Sequence, residues 1–359
     1  MMMPSSRFIL FFLILLGAGS LPMLRHLSDF SDNPQKLIPG VKEKPAMEGG
    51  NEEDMLDSKP PVNKLLEITG SRAPDGWMEE KQQQAMIQDM RHRRLSVVCS
   101  EYEPNILKKV PSKKDVHQIY GVDRSKLLYC EVPKVGCSNW KRVLMVLAGV
   151  ATSVFDIPHV VVHRESSKLH LGRNKPEEIT EKLSNYTKVL FVREPFERLV
   201  SAFRDKLENP EKAFHHRYGR NIISRYRANA SQTALQTGDG VTFREFAQYL
   251  VDPKRPVRIN IHWQAVSRLC HPCLLNYNFI GKFENANYEA NFLLRSIGAP
   301  PDVRYPDYKD RNPQDERTSS SIMKKYFSQL NATERQRVYD FYRMDYLMFN
   351  YSKPLPDLH

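Results

Sequence analysis

Hydrophobic periodicity changes character along this chain. From Phe8 to Leu24, "FILFFLILLGAGSLPML", the sequence is apolar almost throughout, with Arg7 before it and Arg25-His26 after it. That is about the minimum length of a membrane-spanning helix. The run predicts an anchor over 8–24 behind a short tail, 1–7. It continues past the small residues Ala18-Gly19-Ser20, which favours an anchor over a cleaved signal peptide. Periodicity then dissolves into Pro, Gly, Glu and Lys, "NPQKLIPGVKEKPAMEGGNEED", a composition that buries too little apolar surface to fold and reads as a tether. Trp77–Leu95 has helix-forming composition and reads as a solvated helix closing this stem, 25–95. A compact domain is expected over 96–359.

Within that domain the pattern switches twice from strand to helix. Leu127–Val132 reads as a strand, and the following Trp140, Val143, Leu144 and Leu147 fall at i, i+3, i+4, i+7 on one helical face. Lys188–Val192 ("KVLFV") reads as a second strand. The helix after it opens with Pro195 in its first turn and carries Phe196, Leu199, Val200, Phe203 and Leu207 on one stripe. "VTFREFAQYLV" and "NYEANFLLRSI" read as amphipathic helices and "YNFIGKFE" as a strand. Thr333 and Gln336 form a capping-box signal for an aromatic last helix. Strands alternating with helices predict an α/β fold, a central parallel sheet flanked by helices, with no internal repeat.

Charge and cysteine narrow the setting. With 53 Lys+Arg against 42 Asp+Glu the formal charge is +11, which favours anionic partners. The cations are dispersed and no nucleic-acid module is present, so nucleic acid is not the expected partner. Sequons at Asn185, Asn229, Asn331 and Asn350 agree with a lumenal domain. Of the five cysteines, Cys99, Cys130, Cys137, Cys270 and Cys273, some should pair in an oxidising lumen and at least one is left over. Cys270-His271-Pro272-Cys273 is a lone CxxC; a local disulfide or structural thiol is its default, not zinc. Cys137, inside a polar loop, is read as a small side chain, with a lowered thiol pKa as the other reading.

The chemistry concentrates where each strand meets its helix. After the first strand comes "PKVGCSN": Gly136 permits close backbone approach, Ser138 and Asn139 offer donors, and Lys134 is a mobile point charge. After the second strand, Arg193 stands at the carboxyl end, where open α/β sheets bind ligands, and Arg198 and Ser201 share one polar helix face. Each unit alone is equally a solvated turn or a salt-bridged helix. Together they suggest a ligand with two separate phosphate groups. No G-x-x-x-x-G-K-[ST] occurs, so a P-loop nucleotide hydrolase is excluded and no metal is expected.

"VPKVGCSNWKRVLMVLAG", followed about sixty residues later by "FVREPFERLVSAFRDK", resembles the paired donor-binding motifs of the Golgi carbohydrate sulfotransferases. The match is to the branch that sulfates O4 of N-acetylgalactosamine on glycoprotein glycans, chondroitin or dermatan. The resemblance continues through "IHWQAVSRLCHPCLLNYNFIGKFE" and "YDFYRMDYLMFNYSKP", covering nearly all of Leu127–His359. It implies a P-loop-like sulfotransferase fold and a Golgi, single-pass type II protein with its catalytic domain in the lumen. The implied co-substrate is 3′-phosphoadenosine 5′-phosphosulfate (PAPS). Its phosphosulfate would lie on Pro133, Lys134, Val135, Gly136, Cys137, Ser138 and Asn139. The 3′-phosphate would lie on Arg193, Glu194, Pro195, Phe196, Glu197, Arg198, Leu199, Val200 and Ser201, with Arg193 and Ser201 as direct contacts.

Transfer to a sugar hydroxyl needs a general base, and histidine is the natural residue. "DIPHVVVHRESSKLH" supplies His159, His163 and His170. The resemblance implies a base after the first helix, which points to His163, then His159, with Glu165 as a carboxylate alternative. In the loop "YPDYKDRNPQDERTSSS", Lys309, Arg311 and Arg317 would close over the donor or hold an anionic acceptor, or are simply solvated. The expected activity is transfer to the 4-hydroxyl of N-acetylgalactosamine on glycoprotein glycans. Chondroitin or dermatan 4-O-sulfation is the alternative enzyme reading, and an idle lumenal glycan- or nucleotide-binding protein the non-enzyme one. A lumenal glycan kinase lacks its metal-binding carboxylates.

Overall fold

The computed structural model describes residues 74–209, 212–307 and 316–359. The expected anchor, 8–24, and the tether up to residue 73 lie outside the described residues. No described helix is long and apolar enough to cross a membrane.

The sheet has strands β1 (Ile119–Val122), β2 (Leu127–Cys130), β3 (Thr187–Val192) and β4 (Phe279–Lys282), in that spatial order. β2, β3 and β4 are parallel, with Tyr129 beside Val189 and Leu190 beside Ile280. β1 is antiparallel to β2, so the sheet is mixed, not purely parallel as the sequence suggests. The reason is the link: one short 3-10 turn, Asp123–Ser125, with Lys126 in the left-handed region, joins β1 to β2, whereas parallel neighbours need a crossover of about a dozen residues.

The first five α-helices among the described residues are α1 (Pro74–Tyr102), α2 (Cys137–Leu147), α3 (His159–Ser166), α4 (Pro176–Asn185) and α5 (Pro195–Phe203). The stripe of α2 is buried as its spacing predicts, with Trp140 stacked on Tyr129 at 5.3 Å and tilted against Phe191 at 5.0 Å. The stripe of α5 enters a second apolar cluster with Phe243, Phe246, Trp263 and Phe327, where Phe196 stacks on Phe327 at 4.0 Å. The last helix, Ala332–Met348, packs there too. Its capping box is Asn331 with Glu334, two residues earlier than the Thr333/Gln336 signal.

α1 departs most from expectation. It is not a solvated lead-in: it docks along the free edge of β4. Gln88 donates to the Ile280 carbonyl (3.2 Å) and accepts from its N–H (2.9 Å), taking the place of a further strand. Arg91 forms a two-pronged pair with buried Glu289 (2.6 and 2.9 Å), and Trp77 packs on Phe292. The folded body therefore includes residues assigned to the stem. Cys99 of α1 pairs with Cys273 and Cys130 of β2 with Cys270. The CxxC does not close on itself; it staples α1 and β2 to one segment across 174 and 140 residues, separations at which closing the unfolded loop is most restrictive. Asn185, Asn229, Asn331 and Asn350 are all exposed.

Candidate functional site

Between β2 and α2 the backbone is unusual. Lys134 has φ 70° and Gly136 φ 71°, two left-handed residues on either side of buried Val135. For Lys134 that conformation costs about 1 kcal/mol or more. At Gly136 an added Cβ would lie 2.0 Å from the Tyr305 hydroxyl, which donates to the Gly136 carbonyl at 3.3 Å. Gly136 is also the N-cap of α2 and gives it no side-chain cap, so the amides of the first turn have no partner within the helix.

Of the donors expected in this loop, Ser138 faces His163 (Oγ to Nε2, 3.4 Å). Asn139 is committed to structure, donating to the Pro306 carbonyl at 2.8 Å and accepting from Arg142 at 3.3 Å. Lys134 Nζ lies 2.9 Å from Asp205 Oδ2. Burial, reinforced by Glu131, pushes the Cys137 thiol up, the reverse of a low-pKa thiol.

The second unit uses its cations differently. Arg193 is buried; it donates to the Lys134 carbonyl (3.3 Å) and the Thr318 carbonyl (2.7 Å), and its face lies over the Phe283 ring at 4.8 Å. Its Nε is buried with no partner among the described residues. Arg198, expected on the polar face beside Ser201, is buried. It donates to the carbonyls of Pro133 (3.0 Å), Gln264 (2.7 Å) and Ile261 (3.1 Å), so it braces the first loop.

Glu194 caps α5 through the Glu197 N–H (2.6 Å) and pairs with the Tyr346 hydroxyl; burial pushes its carboxyl up to about 7. Glu197 is half-buried beside Arg193 at 3.4 Å. Pro195, Phe196, Leu199 and Val200 turn their side chains into the core. Arg193 and half-buried Ser201 are what this motif has to offer a ligand by side chain.

Among the histidines, His159 and His163 lie on α3 with ring centroids 4.8 Å apart. Desolvation, with Lys141 and His159 beside it, pushes His163 down to about 4; desolvation and Arg142 lower His159. Lys141 Nζ is 3.3 Å from His163 Nδ1 and 2.6 Å from Glu131. Because an ammonium only donates, Nδ1 accepts there and Nε2 carries the ring proton toward Ser138. The ring gains a proton only as Lys141 turns wholly to Glu131, its shorter partner. His170 is structural, bridged to Tyr120 in backbone and ring. Glu165 is held low by Lys168 and Arg164 and is a poor base.

Three groups went unread in the sequence. Asp205 lies four residues beyond Ser201, a spacing that offered a signal. The buried Glu131–Lys141 pair ties the end of β2 to α2 and offered none. His262, pushed down to about 3 by burial and by Lys206 and Lys134, stands close enough to the Lys134–Asp205 pair to feel it. Arg317 lies 5.8 Å from the Phe283 ring, beside Arg193; Lys309 and Arg311 lie outside the described residues. No group of three or more metal-ligating side chains occurs among the described residues.

A profile of the sulfotransferase family matches residues 117–352, which contain both loops. The chain belongs to the sulfotransferase family. Carbohydrate sulfotransferase 8 of Mus musculus is 54% identical over 272 residues, covering 76% of this chain and 65% of that protein. Human carbohydrate sulfotransferase 14 is 45% identical over 223 residues, 61% of this chain and 58% of that protein. Carbohydrate sulfotransferase 11 of Rattus norvegicus is 38% identical over 276 residues, 75% and 77%. This sulfotransferase-family chain thus matches just under two thirds of the length of carbohydrate sulfotransferase 8. No solved structure matches it.

Proposed function

We propose that the protein transfers a sulfuryl group from PAPS to the 4-hydroxyl of N-acetylgalactosamine on glycoprotein glycans, as a membrane-anchored enzyme facing the Golgi lumen. One observation carries the reading: Arg193 donates to the carbonyl of Lys134. The two motif loops, 59 residues apart, are thereby a single surface with cations on both sides. PAPS fits it on two counts. The unpartnered, buried Nε of Arg193 needs an acceptor, and the uncapped start of α2 favours an anion. Arg193 and Ser201 would hold the 3′-phosphate and the 133–139 loop the phosphosulfate.

In the transfer, the acceptor oxygen bonds to sulfur while the bond from sulfur to the phosphate oxygen breaks, releasing adenosine 3′,5′-bisphosphate. Lys134 offsets the charge growing on the leaving oxygen. His163, neutral under lumenal conditions, takes the hydroxyl proton, with His159 beside it as second choice. The carbohydrate acceptor is supported by the names of the relatives alone.

The test is incubation of the full-length protein in detergent with labelled PAPS and three acceptors: glycans ending in N-acetylgalactosamine, chondroitin, and desulfated dermatan. Label at O4 of the first is the expected result. Preference for either polymer replaces the acceptor assignment. Nucleotide binding without transfer to any acceptor overturns the enzyme reading in favour of an idle binding protein.

A further inference from the structure

Lys134 already has an anion. Asp205 Oδ2 lies 2.9 Å from its Nζ and 3.4 Å from Lys206 Nζ, so one carboxylate oxygen is shared by two ammonium groups. Burial alone would raise Asp205, yet Lys134 and Lys206 hold its carboxyl below the usual range. Asp205 lies in a π-helical turn, Arg204–Glu208, that continues α5, and such wide turns gather at functional sites. The residues on either side of it are tied down. Arg204 donates to the Glu316 carbonyl and to Thr318 Oγ1, both at 2.9 Å, and Lys206 lies 4.9 Å over the Phe214 ring.

The carboxylate is therefore the fixed partner and the Lys134 side chain, on its loop, the movable one. When Lys134 swings away, Asp205 keeps Lys206, so separation leaves no unpaired charge behind. Two anions crowded on one ammonium repel.

We propose that Asp205 is a positioning residue that competes with the nucleotide for Lys134, and so sets how tightly substrate and product nucleotide are held. A phosphosulfate or phosphate reaches Lys134 by drawing it from Asp205; the returning carboxylate helps expel the bisphosphate product. This rests on the reading of Lys134 as a donor-binding residue.

The experiment is calorimetric titration of the full-length protein with adenosine 3′,5′-bisphosphate, alongside the KM for PAPS. Asp205→Asn should bind the bisphosphate about 3- to 10-fold more tightly, the range of one partly exposed ion pair, and KM for PAPS should fall in parallel. Asp205→Glu, which keeps the charge, should behave like the parent. The gain should vanish in the Lys134→Ala background, because the effect runs through that ammonium. Unchanged or weaker binding by Asp205→Asn, or a gain that survives Lys134→Ala, overturns the proposal. Failure of the parent to bind the bisphosphate, or equal binding by parent and Lys134→Ala, overturns the donor-site reading instead.

Discussion

After β2 the chain carries its lysine on a strained loop, with the ammonium partly open to solvent and held by one carboxylate. After β3 it buries two guanidiniums among backbone carbonyls and aromatic rings. Both are strand–loop–helix units, and their loops touch where Arg193 donates to the Lys134 carbonyl, yet the physics differs. Lys134 is a point charge free to follow a moving negative charge. Arg193 and Arg198 are planar forks whose donors are fixed by geometry, and they hold the shape of the loop that carries Lys134. One unit is built to respond and the other to stay still.

The comparison breaks most visibly in activity. Lys134→Ala should lower sulfuryl transfer by about 100- to 1000-fold, since it removes charge from the developing transition state, and Arg193→Ala by a similar factor, since the 3′-phosphate loses its anchor and the reacting end of the nucleotide is misplaced. Their stabilities should part. Lys134→Ala should melt within about 2 °C of the parent, because a partly exposed ion pair adds little. Arg193→Ala should melt clearly lower, because the Lys134 and Thr318 carbonyls lose a buried donor. Equal melting temperatures would show that the second unit is no more rigid than the first. Arg198→Met extends the contrast. It leaves three carbonyls without a donor and should cost about 3 kcal/mol by denaturant unfolding, more than any other single change proposed in the second unit.

How much of this was legible follows from what kind of signal each feature sends. Strands β2 to β4 and helices α2 and α5 were readable because apolar periodicity is local; Trp140 and Leu199 mark their faces without help from elsewhere. Arg198 was misread because an arginine on an amphipathic helix counts as surface until carbonyls from distant segments close on it. α1 was misread for the converse reason: Gln88 and Arg91 look solvated, yet they dock by hydrogen bonds to a strand edge, which hydropathy does not register. Asp205 is 71 residues from Lys134; its place about one helical turn beyond Ser201 hints at the site, but no local pattern announces its pairing with Lys134. Asn331 and Thr333 are both good caps two residues apart, and only packing of the closing helix chooses between them.

Gly136 tests the strain in the first loop. Gly136→Ala adds a Cβ at φ 71°, 2.0 Å from the Tyr305 hydroxyl, and should cost about 2 kcal/mol. Tyr305→Phe removes the clashing oxygen; the nearest ring atom is then 3.4 Å away. The double variant should therefore regain roughly half of the loss, leaving the cost of the left-handed backbone. No recovery would mean that backbone strain alone decides the site.

The pH profile probes the unit that responds. A base must be neutral to accept a proton, and His163 is pushed down to about 4. Activity at pH 5.5 should thus stay within about twofold of its value at pH 7, whereas a histidine at its ordinary value would be about nine-tenths protonated and roughly tenfold slower. An acid limb centred near pH 6.5 would move the base away from His163 in this setting.

The smallest effect is the most direct reading of the two backbones. At Lys134 any side chain bears the left-handed penalty, so Lys134→Gly should be more stable than Lys134→Ala by about 0.5–1 kcal/mol. Arg193 is not among the residues with positive φ. There the order should reverse, with Arg193→Ala more stable than Arg193→Gly by a similar amount, because glycine gives up more chain entropy on folding. Both lysine variants lack the ammonium and both arginine variants the guanidinium, so each difference reports the backbone alone. Opposite signs at the two positions would establish that the strain belongs to the loop carrying the mobile charge and is absent from the unit that braces it.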